Sequence, residues 1–272
     1  MNDFFFSQTP EWCKDLCDYY NVSPENALEL GTRKPNRKPA LPSSLTTHAV
    51  SNMTFEEIWE KSPRRNQGEI FQFYKDQGAW SAFRQVVRHK DMSNFHLSIL
   101  TNILKEDSVF CEYGCGVAPF TYSLLSNINV NTKLTVYLTD VECEHLTFGF
   151  WRNQRLIERR NLKNVVLKKV PVLPDSLPTY EKRLDAVTIF EVLEHVPSPI
   201  STTKNIFSQT NDGALICENF IKHDHDGKDG PDLYSAALER SAYYNFLKEN
   251  FDLLGGQGVE EAPSATRIWK KR

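Results

Sequence analysis

Along the chain, apolar and polar positions fall into two textures with a change near residue 107. Before it, apolar residues recur at helical spacing. Ile70, Phe73 and Tyr74, then Phe83, Val86 and Val87, predict helix from about 67 to 105, with Gln77-Gly78 as a natural break. Ser23-Pro24-Glu25 reads as an N-cap followed by proline at the first helical position. Thr54 with Glu57 reads as a capping box, flanked by Met53 and Ile58 as a hydrophobic staple, so a helix is expected to start there. Between these signals, residues 31–45 carry three prolines and four basic side chains, a composition expected to form a surface loop.

After residue 107, short apolar runs alternate with amphipathic stretches, the pattern of βα units. Strands are expected at 108–112, 133–140, 164–170, 184–190, 214–220, 251–254 and 266–269. Helices fill the gaps, including 142–161 and 199–210. No helix is expected between the last two strands, so the final strand should run antiparallel. The expected fold is α/β, a seven-stranded, mostly parallel sheet with an N-terminal helical extension. The expected division is 1–107 and 108–272.

Composition narrows the function classes. Of 272 residues, 40% are hydrophobic and 25% charged, as in ordinary globular proteins, and the formal net charge is −3. That charge argues against a broad nucleic-acid footprint, and the basic 31–45 stretch lacks the interleaved aromatics of a strand-binding groove. No apolar run is long enough to cross a bilayer, and the N-terminus does not read as a secretory signal. Phe4, Phe5 and Phe6 are expected to pack at a core edge. The six cysteines form no CxxC pairs and no zinc spacing; Cys111 and Cys217 read as buried small hydrophobes. A reducing, cytoplasmic setting with no resident metal is expected.

The candidate chemistry begins at Glu112-Tyr113-Gly114-Cys115-Gly116-Val117-Ala118-Pro119-Phe120, which joins the first strand of the second region to a helix. Gly114 and Gly116 allow a sharp turn and a close approach of backbone to ligand. Pro119 suits a first helical turn. Glu112 is expected to face the ligand crevice at the carboxyl edge of the sheet. Pro119 stands where a dinucleotide fingerprint needs its third glycine, and the phosphate-cradling G-x-x-x-x-G-K-[ST] pattern is absent. A carboxylate before the glycines repels a diphosphate and suits an ammonium, which favours S-adenosylmethionine (SAM) over NAD. Asp140 ends the next strand, 24 residues after Gly116, placed to accept hydrogen bonds from ribose hydroxyls.

Together with Leu184–Pro199 (LDAVTIFEVLEHVPSP), these residues resemble the class I SAM-dependent methyltransferases, in particular their small-molecule branch. The resemblance spans roughly 105–220. It implies that Glu112, Tyr113, Gly114 and Gly116 line the methionine half of SAM. Asp140 would hold the ribose, with Val141 beside the adenine, and Phe190 and Glu191 would border the methyl group. Two positions depart from the family pattern. Ala118 stands for its third glycine, and no acid directly follows the third strand, leaving Asp175 as a distant adenine candidate.

Methyl transfer is a displacement governed by alignment, with a base needed only for a protonated nucleophile. Glu191 and His195 are candidates for acceptor chemistry. Tyr74, with Trp80 and Phe83, is a candidate for an aromatic lid. Glu194 is expected to be solvated or capping. His223-Asp224-His225-Asp226-Gly227 reads as a polar loop that could contact substrate. Trp151, Arg152 and Arg155 are expected to be structural and solvated. The leading expectation is methylation of a small-molecule acceptor, with no nucleic-acid or membrane partner. Two alternatives remain open. One is attack at SAM's aminobutyryl carbon with release of methylthioadenosine; the other is a SAM-binding partner protein without catalysis.

Overall fold

The computed structural model describes residues 11–32, 61–63, 66–76, 78–89, 104–221, 233–258 and 265–272. The expected 54–58 helix start, the Phe4–Phe6 run and the 223–227 histidine segment lie outside them, as does most of the 31–45 stretch. Four helices come first: α1 (Glu11–Tyr20), α2 (Pro24–Thr32), α3 (Gln67–Asp76) and α4 (Gly78–Arg88). The break expected at Gln77-Gly78 separates α3 from α4. At the start of α2, Ser23 Oγ accepts the Asn26 N–H at 3.3 Å, as its capping pattern predicts. That helix runs past the expected loop start to Thr32. It can do so because Gly31 lies against Val87, whose Cγ2 is 2.2 Å from where a Cβ would stand.

The rest alternates as expected: β1 (Ser108–Tyr113), α5 (Pro119–Asn127), β2 (Leu134–Val141), α6 (Glu144–Arg160), β3 (Val165–Val172), β4 (Leu184–Phe190), a 3-10 turn (Leu193–His195), α7 (Pro199–Gln209), β5 (Thr210–Asn219), α8 (Tyr234–Asn250), β6 (Phe251–Gly255) and β7 (Arg267–Lys271). They form one sheet of order β3-β2-β1-β4-β5-β7-β6. All pairings among β1 to β5 are parallel, and β7 is antiparallel to both β5 and β6. Strand order reverses between β1 and β4, the place where open α/β sheets bind ligands beyond their carboxyl ends.

Two cores cover the two faces of the sheet. Successive residues of β1 point to opposite sides: Phe110 joins the layer under α5 and α6, while Val109, Cys111 and Tyr113 join the layer under α7 and α8. A third core holds Leu16, Leu30, Phe83 and Val86 of the N-terminal helices together with Val117 of the loop after β1 and Phe148 of α6. Tyr20 stacks on Phe148 at 5.5 Å and tilts against Phe83 at 4.8 Å. The helices before residue 89 therefore share a core with the loop after β1.

Charged residues of α6 fasten the same contact. Arg155 pairs with Asp18 at 2.6 Å and Arg159 with buried Asp15 at 2.9 Å. Arg152 departs from its expected solvated position: it is only 3% exposed, with its guanidinium 4.0 Å from the Tyr122 ring centre. Cys111 and Cys217 are buried and free, as small hydrophobes. Among the described residues, no helix is long and apolar enough to cross a membrane.

Candidate functional site

The loop from β1 to α5 holds three residues in the left-handed region: Gly114 at φ +63°, Gly116 at +50° and Ala118 at +52°. Glycine at the first two positions serves close approach as well as the turn. A Cβ on Gly114 would stand 2.2 Å from Val192 Cγ2, and one on Gly116 would stand 2.4 Å from Gln85 Oε1. The loop is thus flanked by the turn after β4 and by α4. A third glycine, Gly149 within α6, lets that helix touch the loop backbone, since its Cβ would meet the Val117 carbonyl carbon at 2.9 Å and Gly116 O at 3.0 Å.

Hydrogen bonds hold the turn. Gly114 N–H and Cys115 N–H both donate to Thr139 O, and Gly116 N–H donates to Asp140 Oδ2 at 2.6 Å. The other oxygen of Asp140 accepts its neighbour's Val141 N–H, also at 2.6 Å. One half-buried carboxylate therefore ties the glycine turn to the end of β2. Burial pushes its pKa up to about 6, against the two N–H donors that pull it down.

Glu112 differs from expectation. Its side chain is 3% exposed, and its oxygens accept Phe120 N–H at 3.1 Å and Thr121 N–H at 2.7 Å. It lies behind the turn as the cap of α5, and not as a carboxylate offered to the crevice. The reason is local: Ala118 at the N-cap has no side-chain acceptor, so the first N–H groups of α5 need one from elsewhere. Burial raises the Glu112 pKa to about 7.

At the end of β4, Glu191 is held at φ +53° by its own N–H, which donates to Asn219 Oδ1 at 2.6 Å. Its carboxylate pairs with Arg88 of α4 at 2.8 Å, so it tethers the N-terminal helices across the crevice. Strain at a ligand-facing strand end is typical of sites whose surroundings over-determine the backbone. Phe190, just before it, stacks on Phe120 with centroids 4.4 Å apart and planes 14° apart. His195 closes the 3-10 turn through its N–H to Val192 O at 2.9 Å, and its ring lies 6.4 Å from that of Tyr74. The structure thus gathers Asp140, Gly116, Phe190, Glu191, His195 and Tyr74 around the carboxyl ends of β1, β2 and β4. Glu194 is buried, not solvated, and Asp175 sits exposed in the turn closed by Leu173 and Ser176, away from this group. No cluster of metal-ligating side chains occurs among the described residues.

Sequence reasoning did not single out Gln85, Arg88, Gly149, Val192 or Asn219. Gly149 carried a signal, a glycine within an amphipathic helix. Asn219, a polar residue closing an apolar strand, carried a weaker one. Gln85 and Arg88 look like any polar positions on a helix surface, and only the packing of α4 gives them a role.

Comparison with known proteins places the chain in a family. A family model described as a methyltransferase domain matches residues 84–250. No curated protein sequence matches. Among solved structures, the small RNA methyltransferase HEN1 aligns with a TM-score of 0.51 at 14% identity, over 67% of this chain and 25% of that one. An O-methyltransferase from Bacillus cereus in complex with SAH aligns at 0.46 and 14%, over 78% and 93%. A putative rRNA methylase from Clostridium thermocellum aligns at 0.46 and 15%, over 65% and 94%.

Proposed function

Because the chain belongs to the methyltransferase-domain family, with SAM as its cofactor, we propose that it transfers SAM's methyl group to a small-molecule acceptor. SAM supplies an electrophilic methyl on its sulfonium. The residues at the sheet edge fit it. The nearest atoms over Gly116 belong to the far end of the flexible Gln85 side chain. Each Asp140 oxygen accepts one backbone N–H and keeps a lone pair for a vicinal ribose hydroxyl. In this reading Asp140 orients the ribose and Val141 borders the adenine. The loop from Tyr113 through Gly116 carries the amino-acid end, and Phe190 borders the methyl group.

The roles of the other candidates follow from their partners. Glu191 is engaged by Arg88, so it closes α4 over the crevice and excludes water. His195 and Tyr74, facing one another, meet the acceptor, and His195 takes its proton if the nucleophile arrives protonated. The observation that carries the proposal is the Asp140–Gly116 bond of 2.6 Å at the sheet's switch point. The small-molecule assignment is supported by the roof that α4 forms through Gln85 and Arg88, and by the pairing of Arg155 and Arg159 of α6 with acids of α1.

The test is to incubate the purified protein with SAM and separate fractions of cell extract, and to detect S-adenosylhomocysteine by mass spectrometry. The product is expected with the small-molecule filtrate and lost in Asp140→Ala. Product formed only with the RNA or protein fraction would overturn the acceptor class. Methylthioadenosine in its place would overturn methyl transfer.

A further inference from the structure

Arg152 is the charged group that the site leaves unexplained. It is 3% exposed, its Nε has no hydrogen-bond partner, and among the described residues its guanidinium donates no hydrogen bond at all. A guanidinium carries five N–H donors, and buried polar groups are almost always satisfied, so such a group signals a missing acceptor. Its neighbours do not supply one. The guanidinium lies 4.0 Å from the Tyr122 ring centre and 5.8 Å from that of Phe148, contacts that use its faces and leave its in-plane donors open. The nearby carboxylates are already engaged: Asp15 by Arg159, and Glu112 by the first N–H groups of α5.

Its place in the fold narrows what the acceptor is. Arg152 lies three residues after Gly149, which touches the glycine turn, and next to Asn153, whose Nδ2 donates to Ala118 O at 3.4 Å. Tyr122, under the guanidinium, is in the first turn of α5, directly after that loop. Desolvation, followed by the charge of Arg88, holds His89 below its usual pKa, and Arg152 adds to that effect. Arg88 is paired with Glu191, so of these two arginines it is Arg152 that makes no hydrogen bond or ion pair among the described residues.

We propose that Arg152 is the positioning residue for the carboxylate at the amino-acid end of SAM, an inference that rests on the cofactor assignment above. The planar fork of its donors matches a carboxylate in bidentate geometry, and an anion at this place would give those donors the acceptor that the described residues do not.

The test compares, by calorimetry, the affinities for SAM, for decarboxylated SAM and for methylthioadenosine, which lacks the whole amino-acid end. The wild type is expected to prefer SAM over decarboxylated SAM by about tenfold or more. Arg152→Gln should reduce that preference to near one, and Arg152→Lys should restore part of it. Methylthioadenosine affinity should stay unchanged in both, which reports an intact site. If Arg152→Gln does not fold, the smaller preference in Arg152→Lys decides. A preference unchanged by either folded variant, or equal losses for SAM and methylthioadenosine, would overturn the assignment. Failure of the wild type to bind any of the three would instead overturn the cofactor reading.

Discussion

Ala118 stands where the resembling family has glycine, and it adopts the left-handed backbone all the same, at φ +52°. A residue with a Cβ pays about 1–2 kcal/mol for that region. Glycine would remove the strain but cost about 0.5–1 kcal/mol in unfolded-state freedom. Ala118→Gly should therefore be neutral or stabilising by no more than about 1 kcal/mol. Ala118→Val adds β-branching to a left-handed, fully buried position and should destabilise by more than about 1 kcal/mol. Denaturant midpoints separate the two; a glycine variant as unstable as the valine one would contradict this account of the turn.

Between elements, one buried contact joins α4 to the start of α6: Ser81 Oγ lies 2.5 Å from His145 Nε2. Burial lowers the His145 pKa from 6.5 to about 4, so the folded chain keeps it neutral. The unfolded chain takes up that proton below 6.5 and the folded chain refuses it until about 4, so this group's stabilisation is present above 6.5 and is lost as pH falls through that window. His145→Gln removes the linkage. The stability gap between wild type and variant, from denaturation at a series of pH values, should narrow from pH 7 to pH 4; a constant gap would contradict the burial argument. This contact also marks the limit of the sequence. The strands, their order of appearance, the α3–α4 break and the glycine turn were legible because periodicity, capping and glycine report local geometry. The roles of Ser81, Gln85 and Arg88 depend on how α4 docks, a tertiary fact that no local pattern encodes. Glu112 departs from its expected place for a related reason. A carboxylate beside a glycine turn can face a ligand or cap the helix that follows, and the absence of a side-chain acceptor at Ala118 decided it.

For the molecule as a whole, formal charge is −3, and two of the four arginines of α6, Arg155 and Arg159, pair with acids of α1. A protein that neutralises 6–10 phosphates loses about 10³-fold or more in affinity between about 50 and 200 mM salt. Once the acceptor is in hand, its KM should change by less than about threefold over that range. A steep rise in KM with salt would point to a polyanionic acceptor. The position of β7 has a further consequence, for synthesis. β6 reaches the sheet only through β7, which lies between it and β5, and buried Glu218 of β5 meets its countercharge Arg267 at 3.7 Å only when β7 is in place. A nascent chain leaving the ribosome can assemble β1 to β5 in order. It then carries an open strand edge, and a Glu218 carboxylate without its Arg267 partner, until residues 267–271 have emerged, and in that interval a holding chaperone, or a stray strand from another chain, has its opening.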